Sequence, residues 1–122
     1  MKLGTLQGRF HRGCPRRGRA SGARAAVTTV HQAVEAFTAT SNVQATCVIV
    51  DPPRTGTSRE ALDGVIRLAS PRVVYISCDV ATLARDARRL VDAGYTIARV
   101  DAFDLFPNTP HVETIVVFLK NR

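Results

Sequence analysis

The chain has 122 residues, enough for one domain built around one core. Its 45% hydrophobic and 22% charged content is ordinary for a globular protein. No apolar run approaches the roughly 18 residues of a membrane-spanning helix, and the N-terminus lacks the apolar core of a secretory signal.

The formal charge of +7 suggests nucleic acid until it is located. Lys2, Arg9, Arg12, Arg16, Arg17, Arg19 and Arg24 supply seven positive charges, and residues 1–24 contain no Asp or Glu. The remainder carries ten basic and ten acidic residues, so the body is neutral. Three cysteines (Cys14, Cys47, Cys78) are an odd number without CxxC or Cys/His ligand spacing. That excludes a disulfide framework or zinc site, predicts no metal, and suits a reducing cytoplasm.

Residues 1–24 are rich in Arg and Gly, show no periodicity, and are expected to be a disordered leader ahead of a domain over residues 25–122. The leader reads either as a solvated tail or as an arm that contacts RNA phosphates without sequence preference. Its composition resembles an organellar transit peptide, but the Gly and Pro spacing spoils an amphipathic helix.

Residues 27–30 are β-branched and precede the apolar stretch 33–37, which predicts a strand and then a helical turn. Residues 38–45 are polar and predict a loop. Residues 46–50, Thr-Cys-Val-Ile-Val, form the unbroken apolar run of a central parallel strand, with Cys47 in the core. Asp51-Pro52-Pro53-Arg54-Thr55-Gly56 follows at once. Two prolines stiffen the backbone and hold Asp51 in one orientation, and Gly56 permits positive φ or a close approach. Residues 57–60 fit a capping box that opens a helix with Leu62, Val65, Ile66 and Ala69 on its apolar face.

Residues 73–77 predict a second buried strand, which makes residues 48–77 a βαβ unit with parallel strands. The period then changes. Val80, Leu83, Ala84, Ala87, Leu90 and Val91 mark one face of a helix, with Arg85, Asp86, Arg88, Arg89 and Asp92 facing away, and Gly94 ends it. Cys78 falls between strand and helix, at the carboxyl edge where open α/β sheets place their chemistry. A helix N-terminus favours negative charge, whereas the neighbouring Asp79 carboxylate opposes a second one. Position alone leaves Cys78 open between a structural thiol and a nucleophile. Cysteine-phosphatase chemistry is excluded, because it needs Arg six positions after the cysteine and residue 84 is Ala.

Residues 95–100 predict a strand and residues 101–110 a loop with Phe103, Leu105, Phe106 and Pro107. Residues 115–119 predict a final buried strand. The connection is too short for a parallel crossover, so these two strands are expected to be antiparallel. From spacing alone, His111 and Glu113 are an ordinary polar residue and a solvated strand end.

Three blocks taken together resemble the S-adenosylmethionine-dependent RNA uracil-C5 methyltransferases. They are Asp51-Pro52-Pro53-Arg54-x-Gly56, Ser77-Cys78-Asp79-x-Ala81-Thr82-Leu83-Ala84-Arg85-Asp86, and Phe103-Asp104-Leu105-Phe106-Pro107-x-Thr109-x-His111-Val112-Glu113-Thr114. The resemblance implies an α/β fold, the C-terminal half of a Rossmann-like class I methyltransferase sheet with parallel strands and a final antiparallel one. It implies Cys78 as the nucleophile toward uracil carbon 6 and Glu113 as the base for the carbon 5 proton. It implies Asp51 lining both cofactor and uracil, and Arg54, Phe106 and His111 binding substrate. Tertiary implications are S-adenosyl-L-methionine as cofactor, tRNA or rRNA as partner, and no membrane.

Two departures stand out. Many members have Ser-Cys-Asn-Pro where this chain has Ser77-Cys78-Asp79-Val80, so a less rigid cysteine loop is expected. Nothing in the chain resembles the family's Gly-rich cofactor loop, its ribose-gripping acid or its RNA-binding domain. The expectation is therefore a truncated form that needs a front-half polypeptide. A non-catalytic RNA-binding fragment acting through the basic arm is the alternative.

Overall fold

A computed structural model describes residues 2–4, 29–105 and 107–121. Eight elements follow in chain order: β1 (Lys2–Gly4), α1 (Val34–Thr40), β2 (Val48–Asp51), α2 (Arg59–Arg67), β3 (Arg72–Ser77), α3 (Val80–Asp92), β4 (Tyr95–Phe103) and β5 (Glu113–Lys120). The sheet order is β1-β2-β3-β5-β4. β2 and β3 pair in parallel, and β5 runs antiparallel to both β3 and β4. The predicted βαβ unit and antiparallel C-terminal pair are therefore both present. What spacing did not show is that β5 returns inside β4 and pairs with β3.

Alternation along the strands explains how the layers form. Val48 and Val50 of β2, Val73, Tyr75 and Ser77 of β3, and Thr114, Val116 and Phe118 of β5 are buried. Leu62 and Val65 of α2 and Leu83 and Leu90 of α3 join the apolar members of that row in one core, so these helices cover one face of the sheet. Each fully buried Leu or Phe in it contributes about 1.5–3 kcal/mol by removal from water. The alternate residues Ile49, Val74, Ile76, Ile115 and Val117 are half-buried on the opposite face.

Several expectations change on contact with the structure. Residues 29–33 contain no strand, and α1 runs on to Thr40, through the start of the predicted loop. β2 begins at Val48, which leaves Cys47 just outside it and half-buried rather than in the core. The cap of α2 is Ser58, whose hydroxyl accepts from the Ala61 N–H at 3.2 Å, not Thr57. Ala69 lies beyond α2 at φ 50°. β4 extends to Phe103, three residues into the predicted loop. Of the basic leader, Lys2–Gly4 pairs with β2, and the rest, with Cys14, lies outside the described residues.

The largest change concerns α3. Val80 and Val91, expected on its core face, are 62% and 41% exposed, and Ala84 is exposed too. Asp86, expected to face solvent, is 1% exposed. The buried stripe is Leu83, Asp86, Ala87 and Leu90, which keeps the helical period but centres it on a carboxylate. Gly94 at φ 89° ends the helix as expected, with its N–H on the Val91 carbonyl at 2.9 Å.

α1 packs on α2 through a glycine. A Cβ on Gly64 would lie 2.6 Å from Thr38 Cβ, and Thr38 is 1% exposed with its hydroxyl donated to the Val34 carbonyl at 2.9 Å. Thr38 has nowhere to move. Gly64→Ala gains about 1 kcal/mol of helix propensity, but overpacking costs about 1–3 kcal/mol. We expect the clash to win, with thermal unfolding monitored by circular dichroism showing a midpoint lowered by several degrees. An unchanged or raised midpoint contradicts this packing.

Candidate active site

The carboxyl ends of β2 and β3 and the start of β5 share one rim. Ser77 pairs with Thr114 at the end of the β3–β5 ladder, and Cys78 and Glu113 are the neighbouring residues on the two chains at that end. Val50 pairs with Tyr75, which puts Asp51 level with Ile76 and two residues short of Cys78 on the neighbouring strand. That corresponds to about 8 Å between the Cα atoms of Asp51 and Cys78. Alternation assigns Asp51, Cys78 and Glu113 to the same face, the one away from α2 and α3. Cys78 and Glu113 are half-buried and Asp51 is exposed, so none is sealed in the core.

The turn that carries Cys78 is tied down on both sides. The Ser77 hydroxyl, 5% exposed, donates to the Asp79 carbonyl at 2.9 Å and accepts the Asp79 N–H at 3.1 Å. Asp79 is the N-cap of α3 and accepts the Thr82 N–H at 2.8 Å. The Thr82 backbone and side chain hold the Asp79 carboxyl below its ordinary value, with His111 adding a smaller electrostatic contribution. Ser77 and Asp79 brace the cysteine turn with these hydrogen bonds where the family's common pattern has a proline.

The Asp51–Gly56 segment leaves the sheet and closes a turn, with the Gly56 N–H on the Pro53 carbonyl at 2.8 Å. Gly56 has φ 80°, and a Cβ there would lie 2.5 Å from Arg85 Nη2, 3.0 Å from Thr82 Cβ and 3.1 Å from Asp86 Oδ2. Glycine is needed here for both conformation and proximity. α3 grips this loop through polar bonds. The Thr82 hydroxyl donates to the Arg54 carbonyl at 3.1 Å, and Arg85 Nη2 to the carbonyls of Thr57 at 3.2 Å and Thr55 at 3.4 Å. Asp86 Oδ2 accepts the Thr57 N–H at 2.8 Å and the Tyr75 hydroxyl at 2.6 Å, while Oδ1 accepts Arg85 Nε at 2.9 Å. Tyr75 and Thr57 also share a hydroxyl–hydroxyl bond at 2.9 Å.

Burial alone would raise the Asp86 carboxyl. The bonds from Arg85, Tyr75 and the Thr57 N–H outweigh it and hold the group below its ordinary value. Burial, followed by the bond to Asp86, pushes the Tyr75 phenol well up, so it stays a donor.

The family model described as tRNA (Uracil-5-)-methyltransferase matches residues 31–122. The chain belongs to that family. An uncharacterised RNA methyltransferase of Thermotoga maritima is 46% identical over 91 residues, covering 75% of this chain and 21% of the relative. A 23S rRNA (uracil(1939)-C(5))-methyltransferase of Marinomonas sp. is 46% identical over 77 residues, covering 63% of this chain and 17% of the relative. The crystal structure of Pyrococcus abyssi tRNA (uracil-54, C5)-methyltransferase, in complex with S-adenosyl-L-homocysteine, superposes with a TM-score of 0.56 at 39% identity, over 62% of this chain and 18% of that one. The chain therefore spans about a fifth of the length of these relatives.

Asp51, Cys78 and Glu113 lie at strand ends on one rim, Arg54 sits exposed on the adjoining turn, and His111 is half-buried two residues before β5. Phe106 lies outside the described residues. Among the described residues there is no cluster of metal-ligating side chains and no helix long and apolar enough to cross a membrane. Sequence reasoning missed Thr57, Tyr75, Thr82, Arg85 and Asp86. One signal was available: Asp86 stands three residues after Leu83 and four before Leu90, inside the apolar stripe.

Asp86→Ala strands the Thr57 N–H and one bond of Tyr75, at a cost of about 2–5 kcal/mol. The depressed carboxyl also predicts a pH dependence. Its contribution is fully present above the ordinary value of 3.8 and is lost as pH falls from there through the lower folded value. Urea unfolding followed against pH is expected to show an acid limb below about pH 4 that flattens in Asp86→Asn. An acid limb identical in the variant contradicts the assignment.

Proposed function

We propose that this rim carries out methyl transfer to carbon 5 of uridine in tRNA or rRNA, through a covalent adduct between Cys78 and carbon 6. The reading is supported by the strand register, which brings the end of β3 beside the start of β5, with half-buried Cys78 and Glu113 flanking the last pair and exposed Asp51 ending the neighbouring strand. On this reading the sheet is the C-terminal half of a Rossmann-like class I methyltransferase sheet.

Carbon 5 of uracil is a weak nucleophile. Addition of the Cys78 thiolate to carbon 6 breaks the C5–C6 π bond and makes carbon 5 enolate-like. S-adenosyl-L-methionine, when bound, would supply an electrophilic methyl on a sulfonium, the bond to carbon 5 forming as the methyl–sulfur bond breaks and leaves the neutral thioether. Glu113 then removes the proton on carbon 5, and the electron pair restores the double bond as the Cys78–C6 bond breaks. A thiolate suits both ends of this sequence, being strongly nucleophilic and a good leaving group. The target base must be unstacked to reach such a rim.

The residues present fit one side of the cofactor. Asp51 ends β2 with an exposed carboxylate, at the strand end where open α/β sheets bind ligands, and its charge complements a cationic sulfonium or amino group. On the family pattern Arg54, Phe106 and His111 contact the RNA substrate. The remaining cofactor contacts would come from a front-half methyltransferase polypeptide.

The test is label transfer from radioactive S-adenosyl-L-methionine to uridine-containing RNA, with the chain alone and mixed with a front-half polypeptide from a relative. The mixture is expected to label carbon 5. Cys78→Ala abolishes labelling, and Glu113→Gln slows turnover by about 10²–10⁴-fold while a covalent RNA–protein complex accumulates on denaturing gels. Labelling that survives Cys78→Ala overturns the reading. RNA affinity that vanishes on deleting residues 1–24, without any labelling, supports the basic arm instead.

A further inference from the structure

We infer that Thr82, Arg85 and Asp86 are positioning residues for methyl transfer, holding the Asp51–Gly56 loop at a set height against the helix whose N-terminus carries Cys78. The inference rests on the proposed function for its catalytic meaning and on the hydrogen bonds alone for its geometry.

The contacts are unusual in where they fall. Thr82 reaches the Arg54 carbonyl, Arg85 the carbonyls of Thr55 and Thr57, and Asp86 the Thr57 N–H. All four bonds land on backbone atoms of one loop, within four consecutive residues. Side-chain atoms of that loop are left out, apart from the Thr57 hydroxyl bound to Tyr75. A grip on main-chain atoms sets where the loop runs, and leaves the Asp51 and Arg54 side chains exposed and free of it.

The helix end of the linkage is equally short. Cys78 precedes Asp79, Asp79 caps α3 through the Thr82 N–H, and Thr82 is itself one of the three gripping residues. Nucleophile and acid are thus joined through a single helical turn as well as through the β2–β3 ladder. Gly56 completes the fit, since any Cβ there would drive the loop off Arg85 and Thr82. The Thr-Leu-Ala-Arg-Asp run contributes to the site by holding the Asp-Pro-Pro-Arg loop.

A residue that merely supported the core would behave differently. The Arg85 side chain is 54% exposed, so its loss opens no cavity. The test uses Arg85→Ala, Arg85→Lys and the double variant Thr82→Val/Arg85→Ala, none of which removes a buried apolar group. Amide hydrogen exchange is expected to quicken about tenfold or more at Gly56 and Thr57, whose N–H groups are bonded to Pro53 and Asp86, with no change at Leu90 in α3. Alkylation of Cys78 by iodoacetamide keeps its wild-type rate. In the transfer assay kcat falls by about ten- to a hundredfold, as a misplacement near 1 Å would cause, and Arg85→Lys recovers part of the loss.

Exchange at Gly56 and Thr57 that stays at wild-type rate, or rises only in step with Leu90, overturns the positioning role. So does a loosened loop with full transfer activity. Failure of the wild-type chain mixed with the front-half polypeptide to transfer methyl groups would overturn the proposed function, and the exchange measurement would still decide whether Thr82 and Arg85 hold the loop.

Discussion

The placement of β5 between β3 and β4 is the constraint on which the site depends. β3 ends at Ser77, just before Cys78, and β5 starts at Glu113, so antiparallel pairing brings the end of one strand beside the start of the other. A parallel neighbour in that position would put its first residue at the far end of the sheet, roughly 20 Å away for a strand of six residues. The parallel neighbour on the other side, β2, brings Asp51 to the same rim because its carboxyl end, not its start, lies there. Three residues separated by as many as 62 positions meet because two strands end and one begins on the same edge.

The second feature is polar, and it explains why α3 is rotated from its expected orientation. A helix placed by apolar matching alone would bury Val80, Leu83, Ala84, Ala87, Leu90 and Val91. Burying Asp86 instead desolvates a charge, which is unfavourable unless hydrogen bonds satisfy it. Here both carboxylate oxygens are engaged, by Thr57, Tyr75 and Arg85, and no buried side-chain polar atom among the described residues lacks a partner. The compensation ties α3, β3 and the loop after β2 together with directional bonds. Apolar packing tolerates small sliding, whereas a set of bonds near 2.6–3.2 Å does not. The rotation therefore exchanges some apolar burial for registration of the loop against the helix.

These two features were unequally legible in the sequence. Period-two and period-3.6 patterns located β2, α2, β3, α3 and β5, because those elements bury one face in a common core. Asp51 and Cys78 were identifiable as rim residues, since each directly follows an apolar run and precedes a break or a helix. Glu113 was not, because strand order is a property of non-local pairing that no spacing in a single chain encodes. Its role came only from the long block that starts at Phe103. The extent of β4 was underestimated since Val100 and Phe103 are 57% and 44% exposed and Asp101 interrupts them, so the alternation there carries no burial signal. Asp86 was misassigned for the opposite reason: a carboxylate is normally on the surface, and only its position within the stripe marked it as an exception.

The central claim is that Cys78 and Glu113 act on one uracil, and hydrogen exchange at carbon 5 tests it without requiring the methyl donor. Addition of the thiolate to carbon 6 lets carbon 5 take a solvent proton; Glu113 then removes the original hydrogen, and elimination releases the base. RNA carrying tritium at carbon 5 of uridine is incubated with the chain mixed with a front-half polypeptide from a relative, and the tritium released to water is counted. The account predicts release that is abolished in Cys78→Ala and strongly reduced in Glu113→Gln. Release undiminished in Cys78→Ala, or none from RNA shown to be bound by the wild-type mixture, would contradict it.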